Sequence, residues 1–244
     1  MKECFLYMFK FDNSKKNIGI LFGLLFVAVL LFNLAAMFSP VNMYGDFSPL
    51  FVIFLIAGIL VVLLPFGYAV SCIKSLISKQ EKLPGFELKN NFITGTKFLL
   101  SFFSLTLIVC FIFLILGFLN HFFITRDLIP LSFLVSAFSF LITIVVSFIL
   151  PAAFYNFAKT DELSSCVKFP AIIALINKNV NNYFKYFIVF LVLIIITLLI
   201  KNFLFFHLNF FGYVGLFIYT TLLSLIYTYT SLVCAKIITV SVEE

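Results

Sequence analysis

The fold is decided by residues 50–73, LFVIFLIAGILVVLLPFGYAVSCI, which hold no charged side chain over 24 positions. A hydrocarbon layer of roughly 30 Å takes about 20 apolar residues in a helix, the one open-chain conformation that satisfies its own backbone hydrogen bonds there. Working outward from this stretch, the same reading gives six transmembrane spans, at 18–38, 50–73, 98–120, 131–153, 186–206 and 213–240, the last with its final turns in the interface. The whole chain is 64% hydrophobic and 11% charged. An average soluble domain carries roughly a quarter charged residues, so the composition excludes a soluble globular fold. The expected class is all-α, a polytopic transmembrane helical bundle forming a single membrane domain over 1–244.

Orientation follows from the basic residues, which are retained on the cytoplasmic side of spans. Fourteen of the sixteen fall on one side: Lys2, Lys10, Lys15 and Lys16 before the first span, Lys74, Lys79, Lys82, Lys89 and Lys97 between the second and third, Lys159, Lys168, Lys178 and Lys185 between the fourth and fifth, and Lys236 at the tail. Arg126 and Lys201 fall on the other. The expectation is a cell-membrane protein with both termini in the cytoplasm. The first span is too long for a secretory signal and lacks a small-x-small cleavage site, so it reads as a retained anchor. The stretches 4–11, 74–97 and 159–185 mix apolar residues with lysines and asparagines, and read as amphipathic interfacial segments. The net charge of +6 on the inner face suits anionic lipid.

Rare residues recur at one offset. Pro65 and Pro151 lie 86 residues apart, as do Pro84 and Pro170, Lys82 and Lys168, and His121 and His207. The repeated unit is a span ending in Leu-Pro, an elbow with Lys-x-Pro and a returning span, so successive copies share one orientation.

Several of the same residues carry a family resemblance. An aromatic N-terminal segment precedes the first span (Phe5-Leu6-Tyr7, with Asp12 and Lys15-Lys16). Gly67-Tyr68 leaves the second span, Leu83-Pro84-Gly85-Phe86 forms the elbow, Gly95-Thr96-Lys97 enters the third, and Phe154-Tyr155 with the stretch 158–163 follows the fourth. In these the chain resembles the prokaryotic integral membrane proteins grouped as domain of unknown function four thousand and thirteen (DUF4013). It departs from them in the first elbow, where Glu87-Leu88-Lys89-Asn90-Asn91 stands in place of a tryptophan-rich acidic stretch. The resemblance implies the membrane architecture and no chemistry.

Few residues in the spans invite a functional role. Pro65 and Pro151 each remove a helical hydrogen bond, to Val61 and Ser147, and read as fixed kinks more than as hinges. Gly19 and Gly23 form a G-x-x-x-G that lets a second backbone approach, within the bundle or across a homo-oligomer. Thr220, Ser224, Tyr227, Thr228 and Ser231 share one face of the last span. Such a face lines a hydrated path in a channel, or else spends its hydroxyls on helix packing and on its own backbone, the commoner case. Asn33 reads as an interhelical partner. His121 and His207 read as interfacial anchors, since two ligands are too few for a closed zinc site. Five cysteines without a C-x-x-C pair suggest neither disulfides nor a metal site. Asp161 and Glu162 read as N-terminal caps of an elbow helix.

No Asp, Glu or Arg falls at membrane depth, where proton relays and coupling sites put them, and no catalytic or phosphate-binding motif occurs. The expectation is therefore a protein that is not an enzyme, needs no cofactor and binds no nucleic acid. It would be a structural or partner-binding membrane component, meeting lipid or a cytoplasmic protein through elbows bearing Lys82, Pro84, Lys168 and Pro170. The alternative is an uncoupled channel, facilitator or permease-like subunit.

Overall fold

The computed structural model describes residues 14–39, 48–80, 83–208 and 212–243. Seven α-helices account for nearly all of them: α1 (Ser14–Met37), α2 (Pro49–Ile77), α3 (Leu88–Thr125), α4 (Ile129–Thr160), α5 (Phe169–Lys178), α6 (Val180–Leu208) and α7 (Gly212–Glu243), with a 3-10 turn at Ser165–Val167 before α5. All but α5 are long and apolar enough to cross a membrane. The fold is thus the all-helical, six-span bundle that the hydropathy dictates. The expected N-terminal interfacial segment 4–11 and Lys82 lie outside the described residues.

Helix starts follow local chemistry. Pro49, Pro130 and Pro170 occupy the first turns of α2, α4 and α5, where the missing N–H costs nothing and the fixed φ suits a helix. At the far ends, Lys79, Asp127 and Asp161 take left-handed backbone at φ 55°, 55° and 58°. There the chain turns back on the helix it has just left; the Asp161 N–H, for example, donates to Phe157 O at 2.8 Å.

The helices are longer than the spans read from sequence, and the first elbow is shorter than expected. Residues 88–97, expected in an interfacial segment, are the first turns of α3, a continuous helix of 38 residues, about 57 Å long at 1.5 Å per residue. The second connection does contain a separate amphipathic helix, α5, with Ile172 and Ile176 buried beneath it. The two elbows are therefore built differently. In α7 the last turns are packed into the bundle, with Ile237, Ile238, Val240 and Val242 buried.

Helix α7 is the central post, touching α1, α2, α4, α5 and α6. The main core sits at the lysine-rich end, around Tyr68, Phe157, Ile172, Tyr183, Leu232, Val233 and Ile237. A smaller cluster, Val29, Tyr219 and Leu223, lies apart from it. No residue from 129 to 150 of α4 is buried, as suits a surface solvated by lipid.

Candidate functional site

Contacts between helices gather at the lysine-rich end, and their basis is an unusually close crossing. A Cβ on Gly67 of α2 would stand 1.7 Å from Asn91 O of α3, and one on Gly95 of α3 would stand 1.9 Å from Leu63 O of α2. Only glycine fits at either position, so the two backbones touch. Asn91 is 1% exposed. Its Oδ1 shares the Ser71 hydroxyl with Gly67 O, at 3.3 and 2.9 Å, and its Nδ2 has no hydrogen-bond partner among the described residues.

The turn between α2 and α3 is then pinned from two sides. Pro84 O accepts from Asn17 Nδ2 of α1 at 3.0 Å and from the Tyr68 hydroxyl of α2 at 3.2 Å. The Tyr68 ring lies against Phe86, with centroids 5.3 Å apart. A partly buried loop carbonyl is satisfied by such donors, and two different helices supply them.

The loop from α4 to α5 is fixed in the same way. Asp161 pairs with Lys74 of α2 at 3.1 Å and with Lys97 of α3 at 3.2 Å, joining three helices. Partial burial pushes its carboxyl upward, but the hydrogen bonds and charges of the two ammonium groups outweigh this and hold it below the ordinary carboxylate value. Beyond it Asn156 Nδ2 donates to Ser165 O at 2.9 Å, the Ser165 hydroxyl donates to Glu162 O at 2.6 Å, and Cys166 N donates to Ser101 Oγ of α3 at 3.3 Å. Burial also pushes the Cys166 thiol up, which leaves it protonated and unreactive. Glu162 pairs with Lys168. The two acids expected to cap the elbow helix do not do so: no side chain caps the 3-10 turn or α5. They are taken up by lysines instead, because the left-handed turn at Asp161 swings its carboxylate toward α2 and α3.

The residues singled out from sequence fare unequally. Tyr183 of α6 packs beside Pro151. The Tyr183 hydroxyl donates to Phe148 O at 2.5 Å and accepts from Ala152 N at 3.3 Å, bridging two backbone groups one turn apart on either side of the proline. Pro65 is buried where Gly95 crosses. Pro84 and Lys168 are engaged as described, and Pro170 opens α5.

Gly19 and Gly23 do not mediate close packing among the described residues: a Cβ on either would meet nothing within 4 Å. The buried face of α1 is instead Leu21, Leu25, Ala28, Val29 and Ala35.

Thr220, Ser224 and Thr228 do share a face of α7, but at 0, 0 and 2% exposure they are buried. Their hydroxyls donate to the carbonyls one turn back, at 2.8, 2.6 and 2.7 Å, and Ser231 donates to Thr228 O at 3.0 Å. Tyr227 is half-buried beside Leu223. Asn33 donates to Thr220 Oγ1 at 3.3 Å, so α1 packs against the face; Thr230, on another side of α7, meets Thr197 of α6 at 3.2 Å. His207 Nδ1 lies 2.9 Å from Phe203 O of its own helix. Among the described residues, no three His, Cys, Asp or Glu side chains are placed to hold a metal.

Sequence reading missed Asn17, Ser101, Asn156 and Tyr183, which carry no signal of their own. It held Gly67 and Gly95 only as parts of a resemblance.

Six apolar helices, joined by polar contacts between them, define a polytopic α-helical membrane protein. The chain belongs to the family described as "Protein of unknown function (DUF4013)", whose profile matches residues 50–206. That range takes in nearly all of α2 through α6. Comparison with curated proteins and with solved structures returns no match.

Proposed function

We propose that this is a non-enzymatic component of a prokaryotic cell membrane, with both termini and the lysine-rich end in the cytoplasm, which presents α5 and its preceding loop to a partner protein at the inner leaflet. One observation carries the reading. The loop 161–168 is held by α2, α3 and α4 through Lys74, Lys97, Ser101 and Asn156, yet Leu163 and Ile173, half exposed, and the ammonium of Lys178 face outward. A rigid mount beneath an exposed amphipathic helix suits recognition. The hydroxyls of Thr220, Ser224 and Thr228 are turned back onto their own helix, which supports a packing role for that face.

The two hairpins, α2 with α3 and α4 with α6, read as a tandem repeat. Each brings its returning helix onto the backbone bonds that bracket the kink proline, through Gly95 at Leu63 O and Gly67 N, and through Tyr183 at Phe148 O and Ala152 N.

Two measurements test the proposal. Cysteines placed at Asn177 and Thr125, in a chain without its native cysteines, should react with a membrane-impermeant maleimide only in inverted vesicles and only in intact cells, respectively. Ile173→Asp and Lys178→Gln should then weaken recovery of the partner and the phenotype of the wild-type chain. Reaction of residue 177 from outside would overturn the orientation. Unchanged recovery and phenotype in both variants would overturn the role of α5.

A further inference from the structure

Helices α3 and α4 enclose a cleft of about 280 Å³, walled by Leu105, Ile108, Val109 and Ile112 on one side and by residues 138–149 of α4 on the other. Every lining side chain is apolar. Phe169, the first residue of α5, lines its lysine-rich end. The volume is nearly twice the roughly 150 Å³ that admits benzene in an engineered apolar cavity. The α4 wall runs about 16 Å along the helix, close to one leaflet of a 30 Å hydrocarbon core.

The cleft is built into the fold, because the pair of helices is tied at both ends. Away from the lysines, residues 126–128 turn directly from α3 into α4, and the Ser132 hydroxyl donates to Asn120 Oδ1 at 2.5 Å. At the other end Lys97 holds Asp161. Helices fixed in this way do not close up between their ties. Next to Phe169 stands Lys168, and the ionic cluster of the same loop pairs Lys74, Lys97 and Lys168 with Asp161 and Glu162. Three cations against two anions leave an excess of one positive charge at this mouth.

We propose that the cleft is a lipid site, taking one acyl chain of an anionic phospholipid of the inner leaflet, with the head group at the cationic mouth. This rests on the cytoplasmic placement of the lysine-rich end. The apolar walls exclude water and account for the chain, and the uncompensated charge selects the head group. Ordinary boundary lipid meets convex side chains and exchanges freely, whereas a chain lodged between two tethered helices is retained.

The test uses the delipidated full chain in mild detergent, titrated with dioleoylphosphatidylglycerol, dioleoylphosphatidylcholine or oleate and read by native mass spectrometry. One phosphatidylglycerol should bind per chain, about fivefold or more in preference to phosphatidylcholine. Val109→Phe and Val145→Phe fill the cleft from opposite walls at positions outside the packed core. Each should weaken both phospholipids about tenfold at unchanged helicity, while Lys168→Gln should reduce the preference for the anionic lipid and spare phosphatidylcholine. Equal binding of the two phospholipids, oleate as tight as phosphatidylglycerol, or no effect of either filled variant would overturn the proposal. So would a dimer that the filled variants dissociate, since the cleft would then hold a helix of a second copy. Failure with residue 177 still found inside refutes the lipid site alone; residue 177 found outside removes the basis of both readings.

Discussion

Replacing Gly95 with alanine is the sharpest test of how this bundle is held together. The new methyl would sit 1.9 Å from Leu63 O, 2.8 Å from Leu63 C and 3.1 Å from Gly67 N, all backbone atoms that cannot rotate away. Ordinary contact begins near 3.4 Å, so α2 and α3 must separate locally by about 1.5 Å. In lipid there is no hydrophobic force between helices, and close van der Waals packing is what joins them. Overpacking costs 1–3 kcal/mol in most cores. With backbone on both sides, Gly95→Ala should lie near the top, at about 3 kcal/mol, less up to about 1 kcal/mol regained from helix propensity.

Gly67→Ala, whose methyl would stand 1.7 Å from Asn91 O, should cost a similar amount. The double variant should cost far less than the sum, because one separation of the helices relieves both clashes. Gly117→Ala, on the same helix with nothing within 4 Å, is the control and should be neutral or slightly stabilising. Unfolding by added dodecyl sulfate in mixed micelles, followed by circular dichroism, gives the four values. Gly95→Ala no worse than Gly117→Ala, or strict additivity of Gly67 and Gly95, would refute the close crossing.

Tyr183→Phe removes the hydroxyl that bridges Phe148 O and Ala152 N and should cost about 1–2 kcal/mol in the same titration; no loss would mean that this bridge does not stabilise the bundle. Asp161→Asn keeps a residue tolerant of left-handed backbone while removing the charge, and should cost less than about 1 kcal/mol, since the carboxylate is 42% exposed and screened. The sign with pH follows from its lowered value: the wild-type contribution is present above the ordinary carboxylate range and is lost as pH falls through the depressed value. Stability measured against pH should show that acid loss in wild type and not in Asp161→Asn. Thr220→Val and Ser224→Ala should each change stability by under about 1 kcal/mol. Liposomes bearing the wild-type chain should pass small solutes no faster than empty ones. A flux that either substitution abolished would revive the channel reading.

Hydropathy alone made the six spans legible because an uninterrupted apolar run has few other stable fates. Their ends were not, and residues 88–97 show why. Lys89, Asn90, Asn91, Thr94 and Lys97 read as interfacial, yet they wind into α3 because the α2 backbone lies against Asn91 and Gly95. Contiguous motifs misled for a related reason. Gly19 and Gly23 match a packing pattern within one helix, whereas the glycines that join backbones, Gly67 and Gly95, lie on different helices and form no local pattern. Asp161 was assigned to the helix that follows it, but its partners are Lys97, 64 residues earlier, and Lys74, earlier still. Spacing correctly placed Thr220, Ser224 and Thr228 on one face. It could not distinguish a wet face from a packed one, because hydroxyls four residues apart suit a water-lined wall and a row of bonds to the preceding turn equally well. What decides between them is whether a neighbouring helix covers the face, as α1 does through Asn33.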